Sequence, residues 1–276
     1  MLDNSKGYAF TDKPFFNEEF IKTNKIKKLT GKYSLKKPGK VIQTTEYKYV
    51  FSFDTLGHLI STYETKIENG FKDTIINLYE YSKHNHLIVH WKNDSHGYTS
   101  NRYHYDSLNR VIAEEVTRDI LGSDGKVEKS IVLNRETMKY DNYKNQTKKT
   151  IYNSYDLPYM EVYCNFNEDG YLLNTEERMK MTSNSNRFYY EYNDKGYMSA
   201  YKIGTPIEGK FEEEWFFKYD KFGQLYEKHT YKNGEHVTDL QIIYNDQTKL
   251  LSSVLTRDVR TNYIYILRFQ NFEFFK

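Results

Sequence analysis

The strongest constraint on this chain is a short pattern that keeps returning. Phe51-Ser52-Phe53-Asp54-Thr55-Leu56-Gly57-His58-Leu59 places aromatics at i and i+2, then an acid, a glycine three residues on, and an aliphatic two after that. The frame returns nearly unchanged at Tyr103–Val111, Tyr190–Met198 and Phe217–Leu225, and more loosely at Tyr79–Leu87 and Phe166–Leu172. Met138–Asp141 keeps the aromatic and acid but lacks the glycine, and Ile242–Leu251 carries the frame shifted. Tyr33–Val41 reads as an earlier copy. From Tyr140 through Phe166, Tyr192 and Tyr219 to Tyr244 the spacings are 26, 26, 27 and 25 residues. A steady period of this size means one supersecondary unit per repeat.

The unit has the chemistry of a β-hairpin. Alternation puts Tyr47, Tyr49, Phe51 and Phe53 on one face and Lys48 and Ser52 on the other. An Asp or Asn heading the turn accepts backbone N–H groups two residues on. A Gly or Asn then supplies the positive φ that closes a short loop. Asp54, Gly57, Asp106, Asn109, Asn193, Gly196, Asp220 and Gly223 are therefore read as structural turn residues. A second turn ends each unit, at Asn69-Gly70, Asn93 to Gly97, Gly122 to Gly125, Ser183 to Asn186, Thr205 to Gly209 and Asn233-Gly234.

The Tyr-Asp-x-x-Gly-x-Leu frame resembles the tyrosine-aspartate (YD) repeats of Rhs-type and wall-associated bacterial proteins, across residues 33–251. It is also similar to longer YD-like repeats of secreted bacterial surface proteins. Two departures stand out: the period is longer, and the Arg usual after the glycine slot occurs only as Arg110. Flanking toxin or autoprotease features are absent from this sequence, and so few hairpins do not enclose a cargo domain. The resemblance implies a non-enzymatic scaffold or binding module, exported to the periplasm, cell surface or exterior, with a glycan or an envelope protein as ligand. The alternative is a carbohydrate-binding or carbohydrate-active protein that uses an aromatic groove.

The fold expected is all-β: an antiparallel β-hairpin repeat meander, one long twisted sheet curled into a barrel-like or spiral shape, with a short N-terminal helix. Asn17-Glu18-Glu19-Phe20-Ile21 starts that helix with Asn17 as its cap. With so little helix, cover for the aromatic face is expected from the sheet itself. The organisation expected is a segment of residues 1–32, with the helix and a basic strand, and a repeat domain of residues 33–276 with a bend near 117–135.

Composition bounds the partners. Tyr numbers 28 and Phe 17 against 4 Pro and 2 Trp, which suits a half-wetted sheet. A net charge of +2 argues against nucleic acid, whose phosphates need concentrated Lys and Arg. The lysines between Lys22 and Lys40 are read as a solvated face protecting an edge strand. Cys164 stands alone, which excludes an internal disulfide, and reads as a buried inert thiol. No apolar run has the length of a membrane helix, and the repeat strands carry too many Lys and Glu for the outward apolar band of a membrane barrel, so no integral membrane protein is expected. Met1-Leu2-Asp3-Asn4 does not read as a signal peptide, so export would rest on a signal outside this sequence, with a cytoplasmic location as the alternative.

Nothing rises to a catalytic motif: phosphate loop, zinc-hydrolase motif and nucleophile elbow are all missing. His84, His86, His90, His96 and His104 are read as turn-flanking repeat positions rather than metal ligands, and no cofactor is expected. Glu212-Glu213-Glu214 and Glu176-Glu177 read as solvated strand faces rather than a facing carboxylate pair. Trp91, Trp215, Tyr63 and Tyr231 are the aromatics that would stack on a ligand; aromatics at period two otherwise form the core of the sheet.

Overall fold

In a computed structural model the chain is all-β; residues 1–68, 71–94, 97–122 and 126–276 are described. Among the described residues, one antiparallel sheet contains eighteen strands in chain order, β1 (Ile26–Lys36) to β18 (Ile264–Phe274). Consecutive strands are neighbours, and β1 pairs both with β2 (Gln43–Phe53) and with β18, so the strand order is that of a closed meander. This corrects two expectations. β1 has partners on both sides, so its lysines protect no edge; Lys28 instead meets Glu273, and Lys37 lies over the Tyr263 ring. The Lys37–Lys40 turn joins β1 to β2, whereas the repeat turns follow even-numbered strands, so Tyr33–Val41 is a hairpin outside the repeat.

The chain forms two compact units, residues 1–74 with 189–276, and residues 75–188. In the first, residues 1–24 supply cover for the repeat aromatics Phe51 and Phe53 that was expected from the sheet alone. Phe16 packs edge-on against Phe51 (5.0 Å) and Phe53 (4.9 Å), and Phe15 against Phe51 (5.9 Å). The Asn4 side chain donates to the Tyr219 hydroxyl (3.0 Å). Phe15, Ile21, Phe51 and Phe53 are all at most 2% exposed. The helix is six residues long, α1 (Glu18–Thr23), and is capped by the Asn17 side chain as expected. It crosses the first repeat turn so closely that a Cβ on Gly57 would sit 2.1 Å from the Glu18 carbonyl oxygen. The glycine frame therefore serves tertiary docking here as well as turn geometry.

The second unit contains the strands from β5 (Leu87–Asp94) to β11 (Leu172–Met179). A small core of Met138, Ile151 and Val162 is flanked by Val111, Tyr140 and Cys164. Cys164 is half-buried rather than buried. β7 (Val111–Leu121) and β8 (Val127–Asn142) form one long hairpin with register shifts after Val116 and Ile120. Asn69-Gly70, Ser95-His96 and Ser123-Asp124-Gly125, which sit in three of the expected second turns, lie outside the described residues.

The repeat turns share one hydrogen-bond set. At Asp106, Oδ1 accepts from the N–H of Leu108 (2.9 Å) and Arg110 (3.0 Å), and the Asn109 N–H returns to the Asp106 carbonyl (3.1 Å). Asp54, Asn193 and Asp220 repeat it, and Ser82 does so with its hydroxyl. Asn85 and Asn109 take φ of 63° in the glycine slot. Asn153 heads an unexpected copy on the hairpin joining β9 (Gln146–Tyr152) to β10 (Pro158–Phe166), with Asp156 in the slot at φ 56°. The expected turn at Asp141 is displaced, because β8 runs on to Asn142.

The recurring chemistry of the preceding tyrosine is a lock between repeats. Tyr105, Tyr140, Tyr219 and Tyr244 donate their hydroxyls to the carbonyls of Leu87, Val111, Met198 and Leu225, at 2.7–2.8 Å. Each acceptor is the aliphatic residue that opens the second strand of an earlier hairpin. Burial pushes all four phenols above their ordinary pKa, so they remain donors.

Candidate functional site

Among the described residues, one group of His, Cys, Asp or Glu side chains converges closely enough to hold an ion: His229, His236 and Asp239. The sheet places them. β15 (Leu225–Lys232) and β16 (Glu235–Tyr244) pair so that His229 faces Asp239, and β16 pairs with β17 (Leu251–Asp258) so that Asp239 faces Arg257. His229, Asp239 and Arg257 thus form one row across three strands. Beside it, a register shift between Thr230 and Tyr231 sets Tyr231 against His236. Their rings stack at 4.6 Å and 14°.

Asp239 is 9% exposed and carries the contacts. Its Oδ1 receives His229 Nδ1 at 2.6 Å, and its Oδ2 receives the Arg257 guanidinium, Nε at 3.1 Å. Burial pushes the Asp239 carboxyl up, but the His229 and Arg257 hydrogen bonds and the nearby positive charge outweigh it and hold it below the usual range. The other nitrogen of His229 faces Glu227 Oε2 (3.2 Å), which also holds Lys218 (2.8 Å). His236 Nε2 lies 2.6 Å from Asp239 Oδ1, yet it makes no hydrogen bond and is shielded from solvent. Proximity without hydrogen-bond angle distinguishes this contact from that of His229.

The aromatics singled out in the sequence are dispersed, and each has a ring face in use. Trp91 donates its indole N–H to Asp119 (2.7 Å) and has the Arg102 guanidinium 5.8 Å from its centroid. Asp119 is fully buried and also accepts from Arg102, Thr117 and Ser130, a saturated carboxylate. Trp215 donates to Glu213 (2.7 Å), with Lys228 Nζ 3.7 Å from its centroid and Tyr201 at 5.0 Å. Lys48 lies over Tyr63 (5.2 Å), and Tyr231 stacks on His236. Trp215 pairs with Thr230, so register puts it on the opposite face from Tyr231.

The histidines of the first half go to separate partners. His86 stacks on Tyr105, His90 contacts the Asn77 side chain and stacks on Tyr79, His84 sits in the Ser82 turn, and His96 lies outside the described residues. Glu176 holds Arg178 and Arg187, so that cluster is an ion-pair network. The group at His229 escaped the sequence reading because its three members belong to no motif. Only the His-x6-His-x2-Asp spacing was visible, and strand register makes it meaningful.

No family model and no curated protein matches this sequence. Solved structures with partial likeness include a porin-like protein from Bacteroides uniformis, at 12% identity and TM-score 0.36 over 71% of this chain and 96% of that one. A Photorhabdus luminescens Tc holotoxin pore gives 12% and 0.24 over 79% of this chain, which spans 14% of that protein's length. A DUF1329 family protein from Desulfovibrio piger gives 11% and 0.21 over 93% of this chain and 89% of that one. Among the described residues no helix is long and apolar enough to cross a membrane.

Proposed function

We propose that this chain is a non-enzymatic binding module of the bacterial cell envelope or exterior, and that it captures an extended segment of an envelope protein. The observation that carries the reading is the overhang of β8. Its pairing with β9 begins only at Thr137, whereas its pairing with β7 extends back to Val127. Among the described residues, Val127–Arg135 are therefore laddered on one side only and exposed throughout, with Ile131, Val132 and Leu133 at 40%, 57% and 59%. A strand with a free edge and an apolar surface is a template for strand addition by a partner. The repeat's resemblance to bacterial surface proteins supports the location. The turn and tyrosine residues of the repeat are spent on holding hairpins together, which supports a scaffold rather than a catalyst.

Affinity capture from envelope extracts, run beside a glycan array, tests this. The expected result is a protein partner retained by the native chain and lost with Val132→Lys, which places a charge on the overhang. Blank results in both assays would overturn the binding reading. A glycan hit untouched by Val132→Lys would move the function to the aromatic faces.

A further inference from the structure

We propose that His229, His236 and Asp239 form a binding site for a divalent transition metal of the zinc type. Zinc takes imidazole nitrogen and carboxylate oxygen together, commonly two His and one acid, with water completing a tetrahedron. The three ligand atoms lie within 4.8 Å of one another. Donors on a tetrahedral zinc ion, with bonds of about 2.0–2.1 Å, sit about 3.3 Å apart. Asp239 Oδ1 is 2.6 Å from each imidazole nitrogen, so each of these two contacts opens by about 0.7 Å to admit the ion.

Three further contacts fit such a site. Glu227 engages the second nitrogen of His229, the carboxylate–histidine arrangement that orients a metal-bound imidazole. Arg257 engages Asp239 Oδ2 and leaves Oδ1 directed at the histidines. Tyr231 stacks on His236 and fixes the plane of its ring. The remaining feature is the one an ion explains best: His236 Nε2 is withdrawn from solvent beside an acceptor oxygen and has no hydrogen bond. A buried polar nitrogen without a partner is disfavoured, and a metal ion supplies that partner. Lys218 and Arg257 offset the two carboxylates, so the site is tuned for an ion held by nitrogen rather than for calcium or magnesium, which need a cage of oxygens.

The test uses the full chain, freed of metal with a chelator and titrated with Zn²⁺ and, separately, Co²⁺. One equivalent of Zn²⁺ is expected to bind at micromolar affinity or tighter and to raise Tm. Co²⁺ is expected to give the visible absorption of a tetrahedral nitrogen–oxygen site. His236→Gln, at a residue whose ring is not needed to pair Asp239 with Arg257, is expected to weaken Zn²⁺ at least 100-fold while the circular dichroism spectrum is unchanged. His104→Gln, on an exposed strand position of the other unit, is expected to change nothing. Absence of stoichiometric binding at 100 µM Zn²⁺, or equal binding by His236→Gln, would overturn the assignment. Both readouts are independent of whether a protein partner is captured by β8.

Discussion

Replacing Tyr244 by Phe tests the lock between repeats. The hydroxyl donates at 2.8 Å to the carbonyl of Leu225, a residue only 2% exposed. Removing it takes away one hydrogen bond, worth a net 0.5–1.5 kcal/mol, and leaves a shielded acceptor, which raises the loss toward about 1–3 kcal/mol. A carbonyl has a second lone pair to share, so the lower half of that range applies, about 1–2 kcal/mol. Tyr105→Phe removes the equivalent bond to Leu87 in the other unit. The two share no partner, so their effects are expected to add to within about 0.5 kcal/mol. Urea unfolding followed by circular dichroism measures both. Tyr155→Phe is the control, since Tyr155 is 82% exposed and contributes only its backbone N–H to its turn. If Tyr244→Phe loses no more than Tyr155→Phe, the phenols are filling space and the reasoning fails.

Three other outcomes follow from the same geometry. Gly57→Ala is expected to lose about 1–3 kcal/mol beyond Gly170→Ala, because both have positive φ but only Gly57 lies under α1; equal thermal shifts would contradict this. Glu161 is held down to about 2 by hydrogen bonds, first from Tyr163 and then from Lys148 and Lys180. Its contribution is full above the ordinary carboxyl value and is lost as pH falls toward about 2, so Glu161→Gln should flatten the acid limb of stability, and an NMR titration midpoint near 4.5 would refute the cause. Burial brings the Lys228 ammonium down to about 8, opposed by Glu213. Between about 8 and 10.5 the unfolded chain holds the extra proton, so stability should rise across that window, and Lys228→Met should stabilise the protein at pH 7; a Lys228 amine titrating above 10 by NMR would overturn both.

What the sequence determined by itself is local. A turn is specified within five residues, so Asp106 and Asn109, or Asp220 and Gly223, announced their own hydrogen bonds before any strand was placed. The alternation around Phe51 and Phe53 likewise announced which side chains would be buried, and Asn17 announced its helix. The copy at Asn153 was equally local, but it falls on the hairpin between repeats, and a search at the repeat period passes over it.

What only tertiary structure decided depends on which residues lie opposite one another. Closure gave β1 a second neighbour, which turned a presumed edge into an interior strand. The cover over Phe51 and Phe53 came from residues with no repeat and almost no helix, because Phe15 and Phe16 can reach that face only once the sheet has formed it. The overhang of β8 exists because β9 is shorter than its partner, a difference that emerges only from the pairing. The group at His229 follows the same rule: a strand shows its side chains to alternate faces, and one residue of register decides whether His229, His236 and Asp239 meet. Hydrogen bonds within a turn are encoded in adjacent residues, whereas a site built across strands is encoded in the sum of every turn and bulge that sets their register.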